Sequence, residues 1–310
     1  MLIIDENYNK PIDKKTYIAL GSFDGLHTGH MQLINKAKEL AEVNNGLSMV
    51  YTFKNHPKTV VKGAIPPKLL TDNEYKLSLL KKAGIDIACL VTFSEEYMKN
   101  SAEGYIKMLI DLYNADGFVV GLNHKFGYKN TGNVEFLKEL KLKYNFKLEV
   151  VETMKYHDEV VSSSLIRSEL TEGNLEKANI LLGRPYCLRN IVIHGRKLGR
   201  ELGYPTANLN INKDYVIPAL GIYYTIVEIN NTFYKGISSV GFNPTIENKG
   251  FSIETHILDF NEEIYDQEIS LYFIKKIRNE KKFNTLNDLT ARLDIDREFA
   301  EKEPIPDYFL

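Results

Sequence analysis

Cysteine is scarce in this chain: two in 310 residues, Cys89 and Cys187, far apart and each inside an apolar run. A disulfide scaffold is excluded, and two buried thiols in a reducing compartment are expected. Charge of one sign is also missing. The 39 Lys and Arg against 41 Asp and Glu leave a formal net charge of −2. A chain whose main partner is nucleic acid carries a basic surplus, so any anion binding here must be local. No run of about 18 apolar residues occurs anywhere. The N-terminus, MLIIDENYNK, has neither the basic segment nor the apolar core of a signal peptide. The expectation is a soluble cytoplasmic protein with no membrane contact and no obligate protein partner implied.

What the chain does have is length and a change of pattern partway along. Its 310 residues suffice for two domains, each burying its own core. Tyr17 to Leu20 is a short apolar run suited to a parallel strand covered on both faces. Further strands are predicted over 47–53, 85–93 and 117–121. Between them lie helical patterns, one opened by the capping-box sequence Thr71-Asp72-Asn73-Glu74 and another by Ser101. Alternation of this kind predicts a Rossmann-like, doubly wound parallel sheet over residues 1–182. From Gly183 the helical periodicity gives way to alternating segments over 223–229, 233–240, 251–260 and 269–277. These predict a small antiparallel β-barrel or sandwich over residues 183–310, closed by an amphipathic helix capped at Thr285.

The first half is organised around Tyr17 to His30, YIALGSFDGLHTGH. A strand ends at Gly21, a glycine-rich loop follows, and a helix opens near His30. Loop N–H groups and the positive end of a helix make an anion site, and two imidazoles, His27 and His30, can donate to phosphate oxygens. Two histidines beside a turn are also compatible with plain surface or core positions. In a parallel sheet, ligands bind beyond the carboxyl ends of the strands, where His27, His30, His56 and Asn123 all fall. The Gly-x-Phe-Asp-Gly-x-His-x-Gly-His pattern resembles the HxGH nucleotidylyltransferases, and more narrowly the prokaryotic bifunctional riboflavin kinase/FMN adenylyltransferases, also called FAD synthetases. The likeness covers roughly residues 15 to 300.

That resemblance implies specific roles. Gly21, Phe23, Asp24, Gly25 and Asn123 fall at ATP-binding positions, with His27 and His30 catalytic. Ser164 and Arg167 match the family's Ser/Thr-x-x-Arg motif at a helix start, where a hydroxyl, helix N–H groups and a guanidinium make a second phosphate site. His56 and Lys125 fall on the flavin side, as does Arg278. In the second half, Pro205-Thr206-Ala207-Asn208 resembles the riboflavin kinase signature, and Gly195 and Gly199 its nucleotide-covering loop. Thr206 and Asn208 would serve ATP and Mg²⁺, a hard cation suited to oxygen ligands. Glu254 shares its side of the strand with His256, Leu258 and Phe260; if that side faces the barrel, the carboxylate is held in a partly apolar site. The family role for it is base toward the ribityl hydroxyl.

Three positions depart from the family pattern: Asn55 in place of proline, His124 in place of an aromatic, and Asp266 in place of glycine. The expected activity is riboflavin to FMN and FMN to FAD, with ATP as co-substrate. Two alternatives stay open from sequence: a paralogue with one active module, or a flavin- or nucleotide-sensing protein that binds without turnover.

Overall fold

In a computed structural model of the chain, residues 1–195, 199, 203–242 and 251–309 are described. The chain divides into two compact units, residues 1–163 and 164–310.

The first unit runs β1 (Leu2–Ile4), β2 (Thr16–Leu20), α1 (Thr28–Val43), β3 (Leu47–Phe53), α2 (Asn73–Lys82), β4 (Ile87–Val91), α3 (Glu95–Met98), α4 (Ala102–Tyr113), β5 (Ala115–Gly121), α5 (Val134–Tyr144), β6 (Lys147–Val151) and a small hairpin, β7 (Lys155–Tyr156) and β8 (Glu159–Val160). The sheet is parallel in the order β1-β4-β3-β2-β5-β6. All five residues of β2 are buried, because the sheet is covered on both faces. Period-two alternation sends Ile18 and Leu20 into one core, with Met49, Tyr51, Ile106 and Leu109, and Ala19 into the other, with Ile34, Ala37, Val50 and Leu80. Strand order reverses direction between β2 and β5. This is the topological switch point, and the loops leaving the carboxyl ends of these two strands diverge to leave a crevice.

The second unit begins within α6 (Ser163–Glu172) and continues through α7 (Leu175–Leu182), β9 (Tyr186–Ile193), β10 (Ala207–Leu209), β11 (Gly221–Ile229), β12 (Thr232–Phe242), β13 (Phe251–Ile257), β14 (Glu268–Arg278) and α8 (Leu286–Lys302). The six strands close an antiparallel barrel in the order β10-β13-β12-β11-β14-β9. Its interior carries a fully buried hydroxyl chain: Thr225 and Ser238 are 2.9 Å apart, Ser238 and Thr255 2.8 Å. Buried hydroxyls that satisfy one another avoid the cost of lone polar groups.

Several sequence expectations shift. The strand expected over 85–93 is β4, shorter at both ends, and the one expected over 251–260 stops at Ile257, where Asp259 takes a positive φ of 55° and turns the chain. The expected capping box at Thr71 divides its work. Asp72 caps α2 by accepting from Tyr75 N–H at 2.7 Å, and Thr71 instead accepts from Gly25 N–H at 3.1 Å. The cap of α8 is at Thr285, whose hydroxyl accepts from Asp288 N–H. Both cysteines are free and buried, and burial pushes the Cys89 thiol up to about 12.

Candidate active sites

α1 starts two residues earlier than the loop pattern suggested, and the reason lies in His27. Its ring Nδ1 accepts from His30 N–H at 3.2 Å, so the imidazole is the helix N-cap. A neutral ring that accepts at Nδ1 carries its proton on Nε2. His27 is buried, and the His30 ring stacks on it at 3.5 Å with 18° between the planes. Phe23 packs edge-on against His30. Two glycines make this arrangement possible. A Cβ on Gly21 would lie 3.0 Å from the Phe23 ring, and one on Gly29 3.3 Å from the His27 ring.

These residues line one wall of a cavity of about 580 Å³ at the switch point, shared with His56, Asn123, His124 and Lys125. Asp24 and Gly25 do not line it. Asp24 is buried, its Oδ1 accepts from Leu70 N–H, and its carbonyl accepts from Ser163 Oγ. Gly25 gives its N–H to Thr71. Their place is in holding the loop, which passes through positive φ at Phe23 and Leu26. His56 caps a short 3₁₀ turn by accepting from Lys58 N–H.

Sequence reasoning missed the other lobe of the cavity. Tyr51, Phe53, Phe93, Tyr97, Tyr105 and Phe126 line it and stack in edge-on or tilted pairs 5.1 to 6.4 Å apart. Phe53 ends β3 and Phe93 lies two residues past the carboxyl end of β4, a signal that could have flagged them. Asn55 explains its own departure from the family: its side chain exchanges two hydrogen bonds with the backbone of Phe93, at 2.8 and 3.0 Å, and so pins that ring. His124 remains an aromatic in shape, stacked on Phe126 at 20°. Its Nε2 is buried without a partner, and burial lowers its pKa to about 4. Ser164 and Arg167 lie on α6, beyond the division between the units.

In the barrel, Asn208 stands directly opposite Glu254 across β10 and β13, and Thr206 Oγ1 lies 3.5 Å from the Glu254 carboxylate. The conditional expectation for Glu254 is corrected here. The barrel interior takes Ile253, Thr255 and Ile257, and Glu254 shares the outer side with His256. The apolar residues of alternating parity claim the inside, and Glu254 is half-buried by its neighbours. A cavity of about 330 Å³ is lined by Gly195, Pro205, Thr206, Ala207, Asn208, Thr255, Ile257 and the 260–265 loop; Glu254 itself does not line it and meets it through Thr206 and Asn208. Gly195 and Gly199 are cradle positions. A Cβ on Gly195 would lie 2.1 Å from the Asn208 amide, and one on Gly199 2.2 Å from the Tyr204 carbonyl. The intervening Arg196 to Leu198 and Arg200 to Leu202 of the expected covering loop lie outside the described residues. Asp266 adopts the left-handed φ of 61° that glycine favours, so the turn keeps its form. Arg278 is engaged elsewhere: Nε and Nη2 bind the fully buried Asp296 of α8, and Nη1 donates to Asn279 O.

A parallel sheet with a ligand crevice at its switch point, followed by a closed six-stranded barrel with a cavity of its own, defines a two-module protein of the nucleotidylyltransferase-plus-barrel kind. Residues 9–165 match the FAD synthetase family and residues 182–303 the riboflavin kinase family. The chain is 36% identical over 290 residues to the bifunctional riboflavin kinase/FMN adenylyltransferase of Bacillus subtilis, covering 92% of each chain. It is equally identical to that of Listeria monocytogenes over 291 residues, covering 92% of this chain and 91% of the relative. A crystal structure of a Streptococcus pneumoniae protein called macrolide-efflux protein superposes with a TM-score of 0.89 at 29% identity, covering 98% of this chain and all of that one. The chain belongs to the bifunctional riboflavin kinase/FMN adenylyltransferase family. Among the described residues no helix is long and apolar enough to cross a membrane.

Proposed function

We propose that the barrel phosphorylates riboflavin with ATP to give FMN, and that the parallel-sheet unit transfers AMP from a second ATP to FMN, giving FAD and pyrophosphate. What supports this most directly is that the two matched families, in order along one chain, fall on two units that each have their own lined cavity. Neither step needs a covalent enzyme intermediate. Catalysis is positioning and stabilisation of charge on the moving phosphorus group.

In the first unit the FMN phosphate oxygen attacks the α-phosphorus and pyrophosphate leaves. With its Nδ1 occupied by the helix, His27 presents Nε2–H, and the stacked His30 presents a second ring at the helix start. Both donate to phosphate oxygens as charge builds. Asn123 and Gly21 place the nucleotide, and the aromatic lobe, with His56 and Lys125, receives the flat flavin ring.

In the barrel Glu254 takes the proton of the ribityl hydroxyl, whose oxygen attacks the γ-phosphorus of ATP, and ADP leaves. The oxygens beside it, the Thr206 hydroxyl and the Asn208 side-chain amide oxygen, in a glycine-cleared cradle, would suit Mg²⁺. Bound there with ATP, Mg²⁺ supplies neutralisation of phosphate charge. We place the protein in the cytoplasm, where both thiols stay reduced. Incubation with riboflavin, ATP and Mg²⁺, followed by chromatography of the flavins, is expected to show FMN and then FAD. FMN without FAD would leave only the kinase half of the reading standing, and riboflavin unchanged would sink the kinase half.

A further inference from the structure

We propose that His256 is a positioning residue for phosphoryl transfer: its Nδ1–H holds the Pro205 carbonyl and thereby fixes the turn that presents Thr206 and Asn208 to Glu254. The inference rests on the kinase reading of the barrel and deepens it.

His256 is two residues from Glu254 on β13 and shares its outer side. Its Nδ1 lies 2.8 Å from the carbonyl oxygen of Pro205. A carbonyl can only accept, so the proton of the ring is on Nδ1. The need for that bond follows from how the turn is otherwise held. β10 begins only at Ala207, where its ladder with β13 starts. Upstream, Tyr204 N–H donates to Gly199 O at 2.7 Å. Pro205 has no N–H to contribute. Its carbonyl is therefore the backbone group through which the residue just before Thr206 can be tied to β13. The ring is itself braced. The Tyr204 ring meets it edge-on at 5.1 Å and 64°, and the Tyr204 hydroxyl donates to Asp294 on α8. A chain of contacts thus runs from α8 through Tyr204 and His256 to the turn, and the turn meets the base.

Holding reacting groups in register is worth much of the barrier, and a displacement of about 1 Å can cost about 10²-fold in rate. In the full chain, His256→Leu is expected to lower kcat for riboflavin phosphorylation about 10- to 100-fold. KM for riboflavin should stay within about twofold, with the rate of FAD formation from FMN and the melting temperature unchanged. His256→Asn, whose side-chain amide can donate from near the position of Nδ1, should recover most of the loss. A native kcat in His256→Leu overturns the proposal, as does a His256→Asn variant as slow as the leucine. So does an equal loss in FAD formation, which would indicate a folding role. A second measurement does not depend on turnover. In the ¹⁵N-histidine-labelled full chain, the His256 Nδ1 should show the resonance of a protonated, pyrrole-type nitrogen. An unprotonated Nδ1 overturns the hydrogen bond whether or not the barrel is a kinase, whereas a protonated Nδ1 in a chain that makes no FMN would tell against the kinase reading instead.

Discussion

A carboxylate in a strand usually faces water, and Glu254 does lie on the outer side of its barrel. What separates it from an ordinary solvated glutamate is its company: Thr206 at 3.5 Å, Asn208 directly across the ladder, and Ser252 Oγ 3.5 Å from its other oxygen. Glu254→Gln keeps the shape and removes the proton acceptor, a contribution typically worth about 10²- to 10⁴-fold. Conversion of riboflavin to FMN should fall by that much, while conversion of FMN to FAD and the melting temperature hold. Steady-state rates of both half-reactions test it, and a near-native FMN rate would remove Glu254 from the mechanism. His124 makes a different kind of demand. Its pKa falls from an unfolded 6.5 to about 4 because burial disfavours the charged ring. Between those values the unfolded chain binds the extra proton, so its contribution to stability is complete above pH 6.5 and is lost as pH falls toward 4. The unpaired Nε2 adds a standing cost at every pH. His124→Phe should therefore melt higher than the parent at pH 5, by a margin that narrows but stays positive at pH 8. Melting curves across that range decide it, and a margin that does not change with pH would mean the imidazole is not buried in its neutral form.

At the scale of elements, the strand after strand logic was legible because β2, β3 and β4 are short apolar runs punctuated by Gly21, Pro57 and Phe93-Ser94. The site was legible to the extent that its residues sit on those punctuation marks. What was not legible depends on contacts between elements. β1 is an apolar run of only three residues, two of them exposed, too short to mark a strand, and β6 is an edge strand whose sequence KLEVV mixes charged and apolar residues. α7 is eight residues, close to the shortest span that periodicity can reveal. The aromatic lobe escaped notice because its rings come from β3, α4 and three separate loops or short helices, and only the sheet order brings them together. The reversal of Glu254 has the same cause. Alternation places it with His256, and it takes the closed barrel to decide which parity is inside. His27 is the reverse case, a residue read correctly as part of a helix start whose capping bond was invisible until the ring was placed.

For the molecule as a whole, the change of pattern at Gly183 marks where the barrel strands begin, yet the compact second unit starts at Ser164. We propose that catalysis and stability divide at different residues. Thr206, Asn208, Glu254 and His256 all lie after Gly183, so a fragment of residues 183–310 should carry the kinase chemistry. Its stability is another matter. On α7, Leu175, Ala178, Leu181 and Leu182 are buried. The Asn179 side chain stands in for a piece of strand: its Nδ2 donates to Phe273 O at 2.9 Å and its Oδ1 accepts from Tyr186 N–H at 2.8 Å, bridging β14 and β9. Cutting at Gly183 strips both backbone groups of that partner, at about 1–3 kcal/mol each where they stay dry. It also exposes the surface the leucines covered, worth roughly 1.5–3 kcal/mol per side chain as an upper bound. With about 4 °C of melting temperature per kcal/mol for a unit of this size, the 183–310 fragment should melt roughly 10 °C or more below a 164–310 fragment. Both should phosphorylate riboflavin at 20 °C and neither should make FAD. Calorimetry and the flavin assay on the two fragments test the division. Equal melting temperatures would show that α7 adds nothing to the barrel, and a folded 164–310 fragment without kinase activity, beside an active full chain, would show that the second unit does not work alone.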